Sequence, residues 1–404
     1  MPGKMIKCSY CQEVSGIRKT GKIRGKQRFF CKYCNRHFTT GNNREDTVAT
    51  QKDGITIKDI AAEVGVSIST VSRALNGSKE IHSATKEMIL RKVEELDYQQ
   101  HYIATSLVRK QTFTIGIIVP ELKTDFYANL ISGANEILRP KGYKIFAMQS
   151  DESFEHEIAN TNALIASRVD GIIASTTFET KGFAHFERAK EKKIPVVFFS
   201  RINNVVDAPK IVVDNYMGAK MATEHLIERG YGKLGFLGGS DNLHIGNLRF
   251  QGFMDTLDKH GIKSQEKWII RTDQLLSDPH RIILELLREK DRPDAVFTMT
   301  DTIGIHLIKC ARTLKIDIPN ELGLIGFSDY IVSQYISPSL STMRQPTREI
   351  GMEAASRLLK AIANKNDKNY RDNTTTVLMP ELVTRESTDR VKNRSRAGTP
   401  SRQQ

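Results

Sequence analysis

Eight short apolar runs rich in β-branched residues recur between residues 113 and 389, each parted from the next by a helical or loop stretch: TIGIIVP, YKIFAMQ, DGIIAS, IPVVFFS, KIVVDN, KLGFLGG, DAVFTMT and LGLIGFS. They read as strands buried on both faces, a demand met by parallel sheets covered with helices. The expected fold class is therefore α/β. The 277-odd positions they occupy exceed what one small sheet needs. The longest pure apolar runs, such as GIIV and VVFF, fall far below the roughly 18 residues of a membrane span, so no membrane partner is expected.

Four of the five cysteines fall near the start, as Cys8, Cys11, Cys31 and Cys34, with Cys310 alone in the body. The opening MPGKMIKCSYCQEV lacks the apolar segment of a secretory signal, which predicts a cytoplasmic, reducing location. There, two Cys-x-x-Cys pairs with 19 residues between them match a four-thiolate zinc site. Four sulfurs leave no position for water, so the expected cofactor is a structural Zn2+ ion that supplies the folding energy of residues 1–45. His37, three residues past Cys34, is then a surface residue. The segment QRFFCKYCNRHFTT resembles the zinc ribbons at the N-termini of some transposase-like proteins.

The net charge of +13 is unevenly spread. Residues 1–44 hold 11 Lys and Arg against Glu13 alone, residues 45–112 hold 9 basic and 10 acidic residues, and residues 390–404 hold 5 basic and none acidic. A near-neutral body with basic ends points to a polyanion for the ends. Lys19, Lys22, Arg24, Lys26 and Arg28 stand between the two knuckles, suited to tracking phosphates or to solubility and protein docking. Residues 46–54 read as a polar linker and 390–404 as a basic disordered tail.

Residues 55–98 carry amphipathic patterns around Gly65. Thr56 and Asp59 form a capping-box start, Ile57, Ile60, Ala61 and Val64 share one helical face, and Ser67 caps a second helix holding Val71, Ala74 and Leu75. A third helix starts at Ser83 with Met88, Ile89, Val93 and Leu96 facing inward. By pattern this is a three-helix bundle with a helix-turn-helix crossing. The whole string TIKDIAAEVGVSISTVSRALNGS, followed by ATKEMILRKVEELDY, closely resembles the DNA-binding domain of the LacI/GalR regulators. That resemblance implies a recognition helix over Ser67 to Leu75 lying in the major groove of double-stranded operator DNA. Ile68, Ser69 and Arg73 would face bases, and Thr70, Ser72 and Asn76 would contact phosphates.

The family places a hinge after the third helix, here residues 99–112, with Leu107 as the wedge into the minor groove. The usual Pro-Asn pair before it is Gln100-His101 in this chain. Residues 113–389 in turn resemble the periplasmic-binding-protein-like sensor, implying two α/β lobes with a small-molecule effector between them. Ligands of such sheets bind beyond the carboxyl ends of the strands. Asp125, Phe126, Arg201, Asp301 and Asp329 follow strand-like runs and are expected contacts on that basis, and the resemblance adds Arg249, at the position of a family Arg that commonly binds the effector, and favours Asp301 as the family's acidic position. Ser200 stands where the family often has Asp, which removes a carboxylate acceptor. Asp214 and Trp268 are expected to be structural. Each of the acidic residues has a competing role as a helix N-cap.

FLGGSD is neither a Rossmann nor a P-loop fingerprint, and no nucleophile elbow or paired-carboxylate motif stands out, so no enzyme is expected. The function implied is a homodimeric transcription regulator whose operator affinity responds to an effector, a carbohydrate by family frequency. A solute-binding protein for uptake and a recombination-type DNA protein are the competing classes. The DNA domain weighs against the first, the sensor body against the second.

Overall fold

The computed structural model describes residues 6–11, 13–23, 26–39, 55–75, 78, 80–98, 111–202, 205–239, 244–367 and 369–390. The chain divides into two compact units, Met1–His101 and Tyr102–Gln404. Asn76, Gln100, His101 and Leu107, the linker at 46–54 and the tail beyond Arg390 lie outside the described residues.

In the first unit, β1 (Ile17–Ile23), β2 (Lys26–Cys31) and β3 (Arg36–Thr39) form an antiparallel sheet in the order β1-β2-β3. Its core is small: Phe29 stacks on Phe38 with ring centroids 5.6 Å apart, beside buried Cys8 and Cys31. So little apolar surface cannot hold about 35 residues without a cross-link or a metal.

The same unit contains helices α1 (Ile57–Val64), α2 (Ile68–Leu75) and α3 (Ser83–Glu95). The Asp59 carboxylate accepts from the Thr56 backbone N–H at 2.8 Å and from its hydroxyl at 2.7 Å, fixing the start of α1. Gly65 ends it at φ 73°, a left-handed conformation that glycine adopts without a Cβ penalty. Ile60, Ala61, Val71, Ala74, Ile89 and Tyr98 make the core. Met88, expected inside, is 55% exposed. Ile89 takes the inward place, and on an α-helix the neighbouring position is turned by about 100°.

The second unit holds two six-stranded sheets. One comprises β4 (Thr114–Val119), β5 (Lys144–Gln149), β6 (Gly171–Ala174), β7 (Val196–Phe199), β8 (Lys210–Val213) and, much later, β14 (Thr375–Leu378). Its order is β14-β8-β7-β6-β4-β5 and every pairing is parallel. The other comprises β9 (Leu234–Gly238), β10 (Ile269–Arg271), β11 (Ala295–Thr298), β12 (Gly323–Ser328), β13 (Ser341–Arg344) and β15 (Glu381–Val383). Its order is β10-β9-β11-β12-β13-β15, parallel except where β15 meets β13. The chain therefore passes between lobes three times: after β8, after β13 and between β14 and β15. All six residues of β4 and of β12 are buried, as runs without alternation require.

Helix Thr347–Ala363 returns the chain to the first lobe and lies against helix Asp125–Leu138. The two helices approach so closely that a Cβ on Gly133 would stand 2.1 Å from the Arg348 carbonyl oxygen, and one on Gly351 2.0 Å from that of Leu130. Only glycine allows that backbone approach. No helix among the described residues is long and apolar enough to cross a membrane.

Candidate DNA-reading, metal and effector sites

On α2 the core takes Val71 and Ala74, leaving the opposite face in solvent. Ile68 is 45% exposed, Ser69 and Arg73 are exposed, and Thr70 and Ser72 are half-buried. The Ser67 hydroxyl accepts from the Thr70 backbone N–H at 3.1 Å, capping the helix start, and lies 2.7 Å from the Ser69 hydroxyl and 2.8 Å from that of Thr70. Arg73 meets Glu80 at 3.7 Å with both side chains well exposed, a pairing that water and salt weaken. The five described residues expected to meet DNA thus share one accessible surface.

The four early cysteines converge. Cys8 and Cys34 Sγ lie 3.6 Å apart, Cys11 and Cys31 Sγ 3.5 Å apart, and all four atoms fall within 4.8 Å of one another. A tetrahedral ion with Zn–S bonds of about 2.3 Å requires S–S edges of about 3.8 Å, so the donor set fits zinc. None of the four is in a disulfide. Burial and the neighbouring thiols push Cys34 up to about 12. Cys8, despite its burial, is drawn down to about 7 by backbone hydrogen bonds from Cys11 and Tyr10. His37 points elsewhere, 3.2 Å from the Thr20 hydroxyl.

In the sensor, the six expected effector residues follow strands or lie on helices at the carboxyl ends, and the structure gives them different surroundings. Asp125, Phe126 and Asp329 line one cavity of about 440 Å³, with Asn129, Tyr330 and Gln345 among its other walls. That volume falls in the range of small-molecule pockets. Asp125 starts a helix of the first lobe, and its carboxylate accepts from the Ile331 N–H of the second lobe at 2.8 Å. Phe126 is 7% exposed and edge-on to Tyr127.

Arg249 and Arg201 stand outside that lining. Arg249 is 3% exposed, its guanidinium lies over the Phe327 ring at 3.7 Å, and it donates to Asn215 Oδ1 at 2.8 Å and to the Met299 carbonyl at 2.5 Å. Burial pulls its pKa down to about 9, and the like charge of Arg201 pushes the same way. Arg201 is itself paired with Glu152, at 2.6 Å and 2.8 Å to its two oxygens. Missing from the expected residues were Glu152, Asn215 and Tyr330. Asn215 adjoins Asp214 in VVDN and Tyr330 adjoins Asp329 in GFSDY, whereas Glu152 adjoins no expected residue.

Asp301 is fully buried, and its carboxylate accepts from the Tyr330 N–H at 2.9 Å, the Ser333 hydroxyl at 2.8 Å and the Thr342 hydroxyl at 2.5 Å. Burial raises its pKa while those three donors pull it back. Asp329 receives Arg344 at 2.7 Å and Arg385 at 2.6 Å. Both carboxylates are thus already engaged by protein donors. Asp214 caps helix Asn215–Glu228 by accepting from the Met217 N–H at 2.9 Å, and Trp268 is buried and donates to the Asp291 carbonyl at 2.8 Å.

Residues 56–100 match the model of bacterial regulatory proteins of the lacI family, and residues 223–388 that of a periplasmic binding protein-like domain. The ribose operon repressor of Haemophilus influenzae is 31% identical, over 82% of this chain and 98% of its own length. This chain belongs to the LacI family. Catabolite control protein A of Priestia megaterium is 30% identical to this LacI-family chain, over 77% of it and 93% of the relative. The solved lac repressor dimer bound to operator and an anti-inducer has the same fold, with a TM-score of 0.72 at 21% identity, covering 83% of this chain and 99% of that one. The structure of the regulator CelR with cellobiose aligns with a TM-score of 0.62 at 25% identity, covering 82% and 99%. This LacI-family protein is a DNA-binding transcription regulator modulated by an effector, and not an enzyme.

Proposed function

We propose that this regulator works as a homodimer in the cytoplasm, that α2 reads a two-fold-symmetric operator, and that a small carbohydrate bound between the lobes sets its affinity. Ile68, Ser69 and Arg73 are the base-facing residues, with Thr70, Ser72 and Asn76 on phosphates and Leu107 in the minor groove. Arg73 is suited to a forked contact with guanine and Ile68 to a thymine methyl. The observation that carries this reading is the division of α2 into a core face, Val71 and Ala74, and a solvent face bearing Ile68, Ser69 and Arg73.

For the effector, Phe126 and Asp125 line the cavity, and Arg249 and Arg201, now held by Asn215, the Met299 carbonyl and Glu152, reach the ligand by exchanging those partners for it. Asp301 and Asp329, whose oxygens already accept from protein donors, act by holding Tyr330, Arg344 and Arg385 in place. Relatives carry names that speak of ribose and of catabolite control, and one solved relative holds cellobiose. Cys8, Cys11, Cys31 and Cys34 hold one structural zinc ion. When bound, the ion ties the two knuckles together, and the thiolates do no chemistry.

The test is selection from random duplex DNA by the full-length protein at one stated salt concentration. A two-fold-symmetric motif is expected, with half-sites about one helical turn apart. Enrichment of no motif, or of one asymmetric half alone, would overturn the dimeric reader.

A further inference from the structure

The helix-turn-helix is poorly equipped to hold a polyanion. Residues 55–98 contain six basic and seven acidic side chains, and Arg73, the one basic residue on α2, faces Glu80. Sequence-independent affinity for duplex DNA comes from cations placed on phosphates, each releasing condensed counterions. A net-negative reading domain leaves that part of the binding to another segment.

The cysteine ribbon is built for it. Neither matched family model reaches residues before 56, and residues 1–44 carry 11 basic side chains against one acid. A zinc ion with four thiolates subtracts only two charges from that excess. The register across the sheet sets Arg18, Phe30 and His37 opposite one another, with Arg28 opposite Gly21 and Thr39 further along. This face is the one turned away from the Phe29–Phe38 core. Its cations interleave with rings, the Phe30 and His37 centroids lying 4.9 Å apart. Arg18 is exposed on this face; Lys19, in register with Phe29, and Lys22, in register with Gln27, stand on the other side of the sheet and are exposed there, and none of the three is in an ion pair among the described residues.

We infer that the ribbon is a second DNA-contacting module, which grips the phosphate backbone of the duplex while α2 reads its bases. An acidic protein partner is less well matched, because the cations run along the strands rather than around a pocket, as a linear polyanion requires. The inference rests on the operator-reading proposal above, and its test separates the two.

The full-length protein and an Arg18→Gln, Lys19→Gln, Lys22→Gln, Arg28→Gln variant would be titrated against the selected operator and against a random duplex over a range of KCl, with bound zinc measured in both. The slope of log affinity on log salt should fall by about 0.9 for each phosphate that the variant no longer neutralises. Affinity at fixed salt should drop about tenfold or more on both duplexes alike, leaving the sequence preference intact. Lys19→Arg with Lys22→Arg should keep the wild-type slope. Unchanged slope and affinity in a zinc-retaining variant would overturn the inference and leave the ribbon to a protein partner. If the four-fold variant releases its metal, Lys7→Gln with Lys22→Gln, both on exposed side chains, carries the same comparison with a smaller change in slope. Failure of the wild-type protein to prefer any operator would count against the α2 reading, and the random-duplex titration would still decide the ribbon.

Discussion

In α2, Val71 and Ala74 are taken into the core while Ile68, Ser69 and Arg73 stay in water. In the sensor body the opposite holds: Asp301, Arg249 and His225 are all inside, at 0%, 3% and 5% exposure, each held by named partners. The surface proposed to read DNA is made from what the core leaves over. The sensing region is made from polar groups the core has absorbed, at a desolvation cost that hydrogen bonds must offset. Substitutions in the first region should therefore alter recognition and spare folding, whereas those in the second should alter folding as well. The ribbon extends the contrast, since its core is so small that, with the proposed zinc bound, its metal site and its stability are one thing.

The largest effect should come from that site. Zinc bound by four thiolates contributes on the order of 10 kcal/mol in small zinc domains. Cys31→Ser, which removes one of the four proposed ligands, a buried one, should lower bound zinc well below one per chain and make residues 1–45 sensitive to protease, while the sensor melts as before. Metal analysis with limited proteolysis checks this. Full zinc retention in Cys31→Ser would mean that Cys31 is not a ligand.

Next is Asp301. Its removal leaves the Tyr330 N–H and the Ser333 and Thr342 hydroxyls without their acceptor in a dry site. Asp301→Ala should destabilise the sensor by about 3–5 kcal/mol, measured by denaturant unfolding, with Asp301→Asn costing less. A stable Asp301→Ala protein that has lost only its effector response would reverse the assignment and make this carboxylate a ligand contact.

Asp301 also marks where sequence reasoning stops. TMTD announces an acidic residue at a strand end, and strand ends are where ligands bind, so the position was legible. The donors that hold it were not, because Ser333 and Thr342 come from segments 32 and 41 residues away and only the folded sheet brings them together. Arg201 is similar: its partner Glu152 lies 49 residues upstream. The strands, the α1–α2 crossing and the cysteine cluster were legible because local spacing specifies them. Met88 was misplaced for the same reason, since a helix with apolar residues at both 88 and 89 does not say from its own pattern which one the core takes.

His225 sharpens the contrast through pH. It is buried on helix Asn215–Glu228, 2.8 Å from the Thr388 hydroxyl, and burial, with Arg229 adding, lowers its pKa to about 4. The unfolded chain takes up a proton near pH 6.5, whereas the folded one refuses it until about pH 4. Stability from this group is therefore complete above pH 6.5 and is lost as pH falls toward 4, by about 3 kcal/mol in all. His225→Gln should flatten that part of the stability profile in denaturant melts at stepped pH. An unaltered profile would place the titrating group elsewhere.

The smallest effect belongs to Arg73, and it is the one that tests the outer face most directly. Its side chain is 61% exposed and its pairing with Glu80 is a surface one, so truncation should change unfolding stability by less than about 0.5 kcal/mol. On DNA the same change should cost about 1–3 kcal/mol at the matched base pair and little on sequences already lacking it. Arg73→Lys distinguishes a forked contact from simple charge. If the guanidinium grips guanine through two donors, lysine should relax the preference nearly as far as alanine does, while keeping most of the nonspecific affinity. If lysine instead restores specificity, Arg73 acts as a point charge beside the phosphates, and the base reading passes to Ile68 and Ser69.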